Sequence, residues 1–207
     1  MTDVLHLHPI NPQVRLIREA VERLRAGDVI VYPTDSCYAL GCALGDKAAM
    51  ERIGRIREVD RHHQYSLVCR DLAEIARYAR VENWQYRLLK AATPGPYTFL
   101  LEATREVPKR LQHEKRRTIG IRVPDHPVVS MLLEAIGEPI MSSTLHLPGD
   151  DYPLNDAQEI EERLCGRVDL ILDGGPCGLE PTTVADLVGG VTIRRLGKGD
   201  PARLGAA

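Results

Sequence analysis

Five short segments carry side chains suited by type and spacing to chemistry on an anionic ligand. Pro33-Thr34-Asp35-Ser36-Cys37 places three small polar residues between apolar stretches. The chain turns there, and the hydroxyls can face a cleft or bond the turn's own backbone. In Gly120-Ile121-Arg122-Val123-Pro124 an arginine alternates with β-branched neighbours, so its guanidinium faces the other side of a strand. A planar donor fork suits a carboxylate or a phosphate, although an edge arginine paired with Asp125 would read the same way. Pro181-Thr182-Thr183-Val184-Ala185-Asp186 follows the flexible Gly174-Gly175-Pro176, and paired hydroxyls beside exposed amides can hold an anion. No Walker loop or dinucleotide fingerprint accompanies it.

The fourth segment is Ile193-Arg194-Arg195-Leu196-Gly197-Lys198. Neighbouring strand residues point to opposite faces, so only one of its two arginines can reach a cleft. The fifth is Arg55-Ile56-Arg57, followed by Arg61, His62, His63 and Arg70. The adjacent histidines lack the i, i+4 spacing of a helical metal pair and read as an exposed polar turn. No nucleophile elbow or Ser/His/Asp order is present.

Positioning these groups requires a scaffold, and the apolar pattern supplies one. Short strands are expected at 4–8, 28–33, 36–42, 65–70, 96–103, 118–124, 139–143, 168–173, 182–188 and 191–196. Helices are expected at 46–58, 71–78, 82–92, 126–136 and 155–164. Another opens at Asn11-Pro12, with Val14, Ile17, Val21 and Leu24 as its stripe, and ends at Gly27. Strands and helices interleave without strict βαβ alternation, which predicts an α/β (α+β) fold with a mixed twisted sheet and helical layers. With 207 residues, one domain over 1–207 is expected.

Composition narrows the function classes. Aromatic content is 4%, so base-stacking platforms are not expected and aliphatic side chains must build the core. No apolar run approaches the ~20 residues of a membrane span, and the N-terminus lacks signal-peptide character. Five cysteines without a CxxC pair suit free thiols in a reducing cytoplasm. Net charge is only −2, but 105–117 holds six basic residues and 150–173 is acidic. The layout suits either two solvated faces or a basic face for phosphates.

Taken in order, VYPTDSCYALG, ERIGRIR, PGPYTFLL, GIRVP, PTTVADL and IRRLG resemble the YrdC/Sua5 family across nearly the whole chain. HPINPQ and EKRRTIGIRVP look most like its YciO branch. The resemblance implies an open, mixed, twisted sheet flanked by helices around a large concave cavity, as in dihydroxybutanone-phosphate synthase (YrdC/RibB-like). It also implies synthesis of threonylcarbamoyl-AMP from L-threonine, bicarbonate and ATP with Mg²⁺, for the t6A modification of tRNA.

Carried over by position, Thr34, Arg122, Thr144, Thr182 and Thr183 would meet threonine, while Arg57, His146 and Arg195 would meet the nucleotide. Two motifs depart from the family. Its Lys-x-Arg becomes Arg57-Glu58-Val59, unless a slipped register uses Arg55 and Arg57. Its Ser-x-Asn becomes Thr144-Leu145-His146. The threonine half looks preserved and the triphosphate half eroded, so weak or altered synthesis is expected. The alternative is binding of double-stranded RNA, such as tRNA or rRNA. Its phosphates would meet Lys109, Arg110, Lys115, Arg116 and Arg117, with Arg57, Arg61 and Arg70 beside them.

Overall fold

The computed structural model describes residues 2–60 and 63–205; Arg61 and His62 lie outside the described residues. The strands are β1 (Asp3–His6), β2 (Ile30–Tyr32), β3 (Ala39–Ala43), β4 (Ser66–Val68), β5 (Ala79–Arg80), β6 (Tyr97–Ala103), β7 (Thr118–Arg122), β8 (Ile140–Thr144), β9 (Leu170–Asp173), β10 (Thr183–Asp186) and β11 (Thr192–Arg195). They form one mixed sheet in the order β1-β9-β2-β3-β8-β4-β7-β6-β10-β11, with β5 paired to β6. The pairs β1–β9, β2–β9, β4–β7 and β6–β10 are parallel and the rest antiparallel.

Among the described residues six α-helices cover the sheet: α1 (Val14–Arg25), α2 (Lys47–Arg57), α3 (Leu72–Tyr78), α4 (Asn83–Ala92), α5 (Pro127–Ile136) and α6 (Ala157–Leu164). Strand alternation sorts the core into two layers. Ile30, Tyr32, Ile140, Leu170 and Leu172 face α1 and α5. Val31, Met141 and Ile171 face the layer that holds residues of α2, α3, α4 and α6.

Several elements differ from the sequence expectation. The first helix begins at Val14 rather than in the Asn11-Pro12 turn. Residues 8–13 close on themselves instead: His8 Nδ1 accepts the amides of Ile10 and Asn11, and Gln13 Oε1 accepts that of His8. Val14 is therefore exposed, while Ile17, Ala20, Val21 and Leu24 are buried. Strand β5 and the 3₁₀ turns Lys109–Leu111 and Pro201–Leu204 carried no periodic signal.

The sheet face under α1 and α5 does not stay apolar. Val68 and Ile140 are register partners inside that core, and one step along the same face Ser66 pairs with Ser142. Ser66 also pairs with Gly120 on β7. A Cβ on Gly120 would come within 2.7 Å of Ser66 Oγ and 3.3 Å of Thr98 Cγ2. Small residues on neighbouring strands thus leave a hollow where a helix would otherwise pack.

Candidate functional site

The hollow is a cavity of about 160 Å³. Its walls include Ser66, Thr98, Ser142, Ser143, Thr144 and Thr182 from the strands and their ends, with Arg57, Arg122 and Arg195 turned into it. Three guanidiniums converge on one small space.

Arg122 ends β7, which lies between β4 and β6, so the edge expectation does not hold. The side chain is 6% exposed, and its carboxylate partner is Asp35 at 3.2 Å, not Asp125. Arg122 Nη2 also donates to Ser36 Oγ at 3.0 Å and Thr34 Oγ1 at 3.4 Å. Its buried Nε–H has no partner among the described residues. The turn at 34–37 combines both sequence readings. Thr34 Oγ1 donates to Cys37 O at 2.6 Å, closing the turn, and the polar side chains of the same turn fix Arg122. Thr34 is 3% exposed and lies behind Arg122 rather than on the cavity wall.

Asp35 joins three segments. Its Oδ1 accepts from Arg122, its Oδ2 accepts Asp125 N at 3.0 Å, and its backbone oxygen accepts from Lys198 Nζ.

The paired threonines separate, as strand alternation requires. Thr182 lines the cavity, with its Oγ1 2.8 Å from Thr98 Oγ1. Thr183 is fully buried away from it, donating to Gly199 O at 2.6 Å and accepting Gly197 N at 3.0 Å. The two arginines of β11 divide in the same way. Arg195 lines the cavity and donates from Nη2 to Thr182 O at 3.0 Å. Arg194 donates to Asp186 Oδ2 at 2.7 Å.

In the last turn of α2, Arg57 Nη1 donates to Ser143 Oγ at 2.7 Å and Thr144 O at 2.5 Å. Its Nε–H is buried without a partner. Burial lowers the proton affinity of Arg57, and the like charge of Arg195 lowers it further, while Tyr65 opposes them. Burial and then the Arg122 charge act likewise on Arg195. Guanidiniums stay charged regardless, so the cavity keeps a positive potential from Arg57 and Arg195, while Arg122 is paired with Asp35. Arg55 and Val59 line a separate groove on the outer side of α2, so a slipped register would not bring a second arginine of this helix into the cavity.

His146 lines the cavity, with Nε2 2.8 Å from Asp150 O. Sequence reasoning passed over Ser66, Thr98, Ser142, Ser143 and Gln64 on the walls, and it misread His63. His63 is not an exposed turn residue: it is partly buried, lines the cavity, and places Nε2 3.3 Å from Ser143 Oγ. The available signal was the interruption of apolar strands by serine and threonine at one register level. Ser142 is held from behind by Tyr32, whose hydroxyl donates to its Oγ at 2.6 Å. The Tyr32 ring crosses Gly41, where a Cβ would meet it at 2.7 Å.

Lys109, Arg110, Lys115, Arg116 and Arg117 are all exposed. They are not equally available, because Arg116 binds Asp186 at 2.6 Å and Arg110 donates to Gly45 O. Arg70 lies beside Asp71 at 3.2 Å. The acidic stretch is largely structural: Asp150 pairs with Arg163, Asp169 with Arg52, and Asp156 caps α6. No helix among the described residues is long and apolar enough to cross a membrane.

Comparison with known proteins places this geometry. The family model of Sua5, YciO and YrdC proteins, described as "Telomere recombination", matches residues 22–197. YciO of Escherichia coli (strain K12), described as uncharacterized, is 53% identical over 201 residues, spanning 97% of this chain and 98% of its own. The crystal structure of E. coli YciO has a TM-score of 0.95 at 52% identity, covering 98% of this chain and 99% of that one. A threonylcarbamoyl-AMP synthase of Stenotrophomonas maltophilia is 33% identical over 84% of this chain and 95% of its own. P. abyssi Sua5, solved in complex with L-threonine, shares the fold with a TM-score of 0.87 at 24% identity, over 95% of this chain and 58% of that one.

Proposed function

Because the chain belongs to the Sua5, YciO and YrdC family, which includes threonylcarbamoyl-AMP synthases, we propose that its cavity binds L-threonine and an adenylate or ATP and has weak or altered synthase activity. The observation that carries this reading is the convergence of Arg57, Arg122 and Arg195 on one cavity, with an unused buried N–H on each of the first two. A site this cationic, lined by hydroxyls and short of acids, suits carboxylate and phosphate together.

Arg122 holds the amino-acid carboxylate in this reading, and Thr182 and Thr98 face the threonine hydroxyl and amine. The phosphates lie along Arg57 and Arg195, toward the cavity mouth, with His146 and Thr144 beside them and magnesium arriving as part of MgATP. The reaction needs little proton transfer by the protein. The threonine amine captures carbon dioxide derived from bicarbonate. A carbamate oxygen then attacks the α-phosphorus, and the bond to pyrophosphate breaks. What the chain contributes is alignment and stabilisation of negative charge on the phosphate oxygens.

The reason to expect diminished synthesis is local. Arg57 is the only arginine of α2 in the cavity, and one absent charge-assisted contact costs about 1.5–3 kcal/mol, roughly one to two decades in rate. The test is pyrophosphate release from MgATP with L-threonine and bicarbonate, with the adenylate identified by mass. Threonine-dependent adenylate at a rate well below that of the S. maltophilia enzyme is expected. The reading is wrong if no product forms and neither threonine nor ATP raises the melting temperature.

Binding of double-stranded RNA is the second reading. Lys109, Lys115 and Arg117 favour it, being exposed and in no ion pair among the described residues. With Arg110 and Arg116 of the five assigned cations bonded within the chain, affinity should be weak and should fall steeply as salt rises.

A further inference from the structure

His63 stands where neither the motifs nor the charge pattern put a ligand contact. It follows α2 by six residues, and its backbone amide donates to Asp60 O at 3.1 Å, turning the chain back toward the sheet. The ring is held edge-on against Tyr65, with centroids 5.0 Å apart. This aims Nε2 at Ser143 Oγ, 3.3 Å away, the same hydroxyl that accepts Arg57 Nη1 at 2.7 Å. One serine oxygen therefore joins an arginine and an imidazole at one corner of the cavity. In that corner the buried Nε–H of Arg57 has no acceptor among the described residues.

We propose that His63 and Arg57 together form a phosphate-binding corner, and that this protein takes up its phosphate-bearing ligand with a proton from solvent on His63. The inference rests on the reading of the cavity as a nucleotide site. It adds the residue that makes binding depend on pH.

The charges around the ring explain why the proton arrives with the ligand. In the free cavity, burial disfavours the imidazolium, and the Arg57 charge adds to this; Asp60 on the same loop pulls the other way. Across the 105–117 segment, Arg110, His113, Glu114 and Lys115 border the neighbouring hollow that His63 and Gln64 wall off. Above pH 6.5 the unliganded ring is therefore neutral, and a neutral ring can accept the Ser143 proton at Nε2. A phosphate oxygen bound to Arg57 brings negative charge within reach of the ring. Protonated at both nitrogens, the imidazolium becomes a donor. Ser143 Oγ is then free to turn its proton toward the ligand.

Titration calorimetry of the full chain with the magnesium complex of α,β-methylene-ATP tests this. Two buffers of different protonation enthalpy are needed, from pH 5.5 to 8, on the native chain, His63→Gln and His63→Arg. Glutamine keeps a hydrogen bond to Ser143 but cannot charge, and the nucleotide's own protonation cancels in the comparison. Full coupling gives up to about tenfold in affinity per pH unit between the free and bound pKa of the histidine. The native chain should therefore tighten as pH falls and take up a large fraction of one proton beyond that of His63→Gln. The glutamine variant should show only the shallower pH dependence that the nucleotide itself imposes, and His63→Arg should bind at pH 8 nearly as tightly as the native chain does at pH 5.5. Equal proton uptake and equal pH slopes in the native and glutamine proteins would overturn the inference and leave the nucleotide site standing. No nucleotide binding at any pH in any of the three would overturn both.

Discussion

Arg122 shows how one side chain can brace a turn and line a cavity at once. Its Nη2 is tied to the 34–37 turn, while Nε remains without an acceptor among the described residues. Arg122→Ala should weaken threonine binding by about 10- to 150-fold, the worth of 1.5–3 kcal/mol in a charge-assisted contact. It should also lower the melting temperature, because the Asp35 carboxylate, 9% exposed, would lose its cation. The double variant Asp35→Asn/Arg122→Ala separates the two effects. Calorimetry should show no recovery of threonine affinity, and thermal denaturation should show partial recovery of stability. Recovered affinity would mean that the arginine only shapes the turn. Sequence made Arg122 visible because a charged residue inside GIRVP breaks an apolar alternation. It could not show that Asp35, 87 positions away, is the partner. Nor could it expose Ser66, Ser142 and Gly120, ordinary strand residues that become a floor only once β8, β4 and β7 are set in register.

At the scale of elements, the β10–β11 hairpin carries Thr182 and Arg195 to the cavity, and Asp186 anchors it. That carboxylate is 1% exposed. Burial alone would raise its pKa, but hydrogen bonds from Arg194, the Val188 amide and Arg116 outweigh burial and hold it below the usual range. Arg116 belongs to the basic segment, so Asp186 also ties that segment to the sheet. Asp186→Ala strands no fully buried cation, since Arg116 and Arg194 are 37% and 51% exposed and can rehydrate. The expected loss is about 1–3 kcal/mol, the cost of an unmade buried contact, rather than the larger penalty of an orphaned buried charge. Trypsin should then cut after Lys115, Arg116 and Arg117 markedly faster than in the native protein. An unchanged cleavage rate there would mean that the segment is held by its other contacts. The helices and most strands were legible from period alone. The division of labour between Arg194 and Arg195 followed from alternation, and the family resemblance singled out Arg195, the one that lines the cavity.

For the molecule as a whole, two histidines and three aspartates shape the pH dependence of stability. The most exposed of these aspartates, Asp71, is held below 3.8 chiefly by the Glu74 amide. Burial holds His63 and His126 below 6.5, with Arg57 adding to the effect at His63 and Asp35 and Asp125 opposing it at His126. The unfolded chain binds more protons there than the folded one. Their contribution is therefore complete above pH 6.5 and is lost as pH falls through the folded values. At Asp169 burial is outweighed by bonds from Arg52 and the Val29 amide, so it lies below 3.8, as Asp186 does. Stability from the three aspartates persists above pH 3.8 and is lost in stronger acid. The melting temperature should fall in two stages between pH 7.5 and 3. His126→Asn should soften the first, because asparagine can keep the α5 cap now made by Nδ1 accepting the Val128 amide at 3.3 Å. A flat melting temperature between pH 7.5 and 5.5 would contradict this account.

The order of the strands also sets a timetable for synthesis. β9 lies between β1 and β2, yet it follows them by well over a hundred residues. At translation speeds of roughly 5–20 residues per second, β2 emerges many seconds before the strand that covers one of its edges. Arg195, the last of the three cavity arginines, leaves the ribosome later still. A nascent chain of this protein therefore passes through a long interval with an apolar, unpaired strand edge and no completed cavity. Small molecules can assist only the finished chain, and protection of the growing one falls to whatever binds exposed strand edges at the ribosome exit.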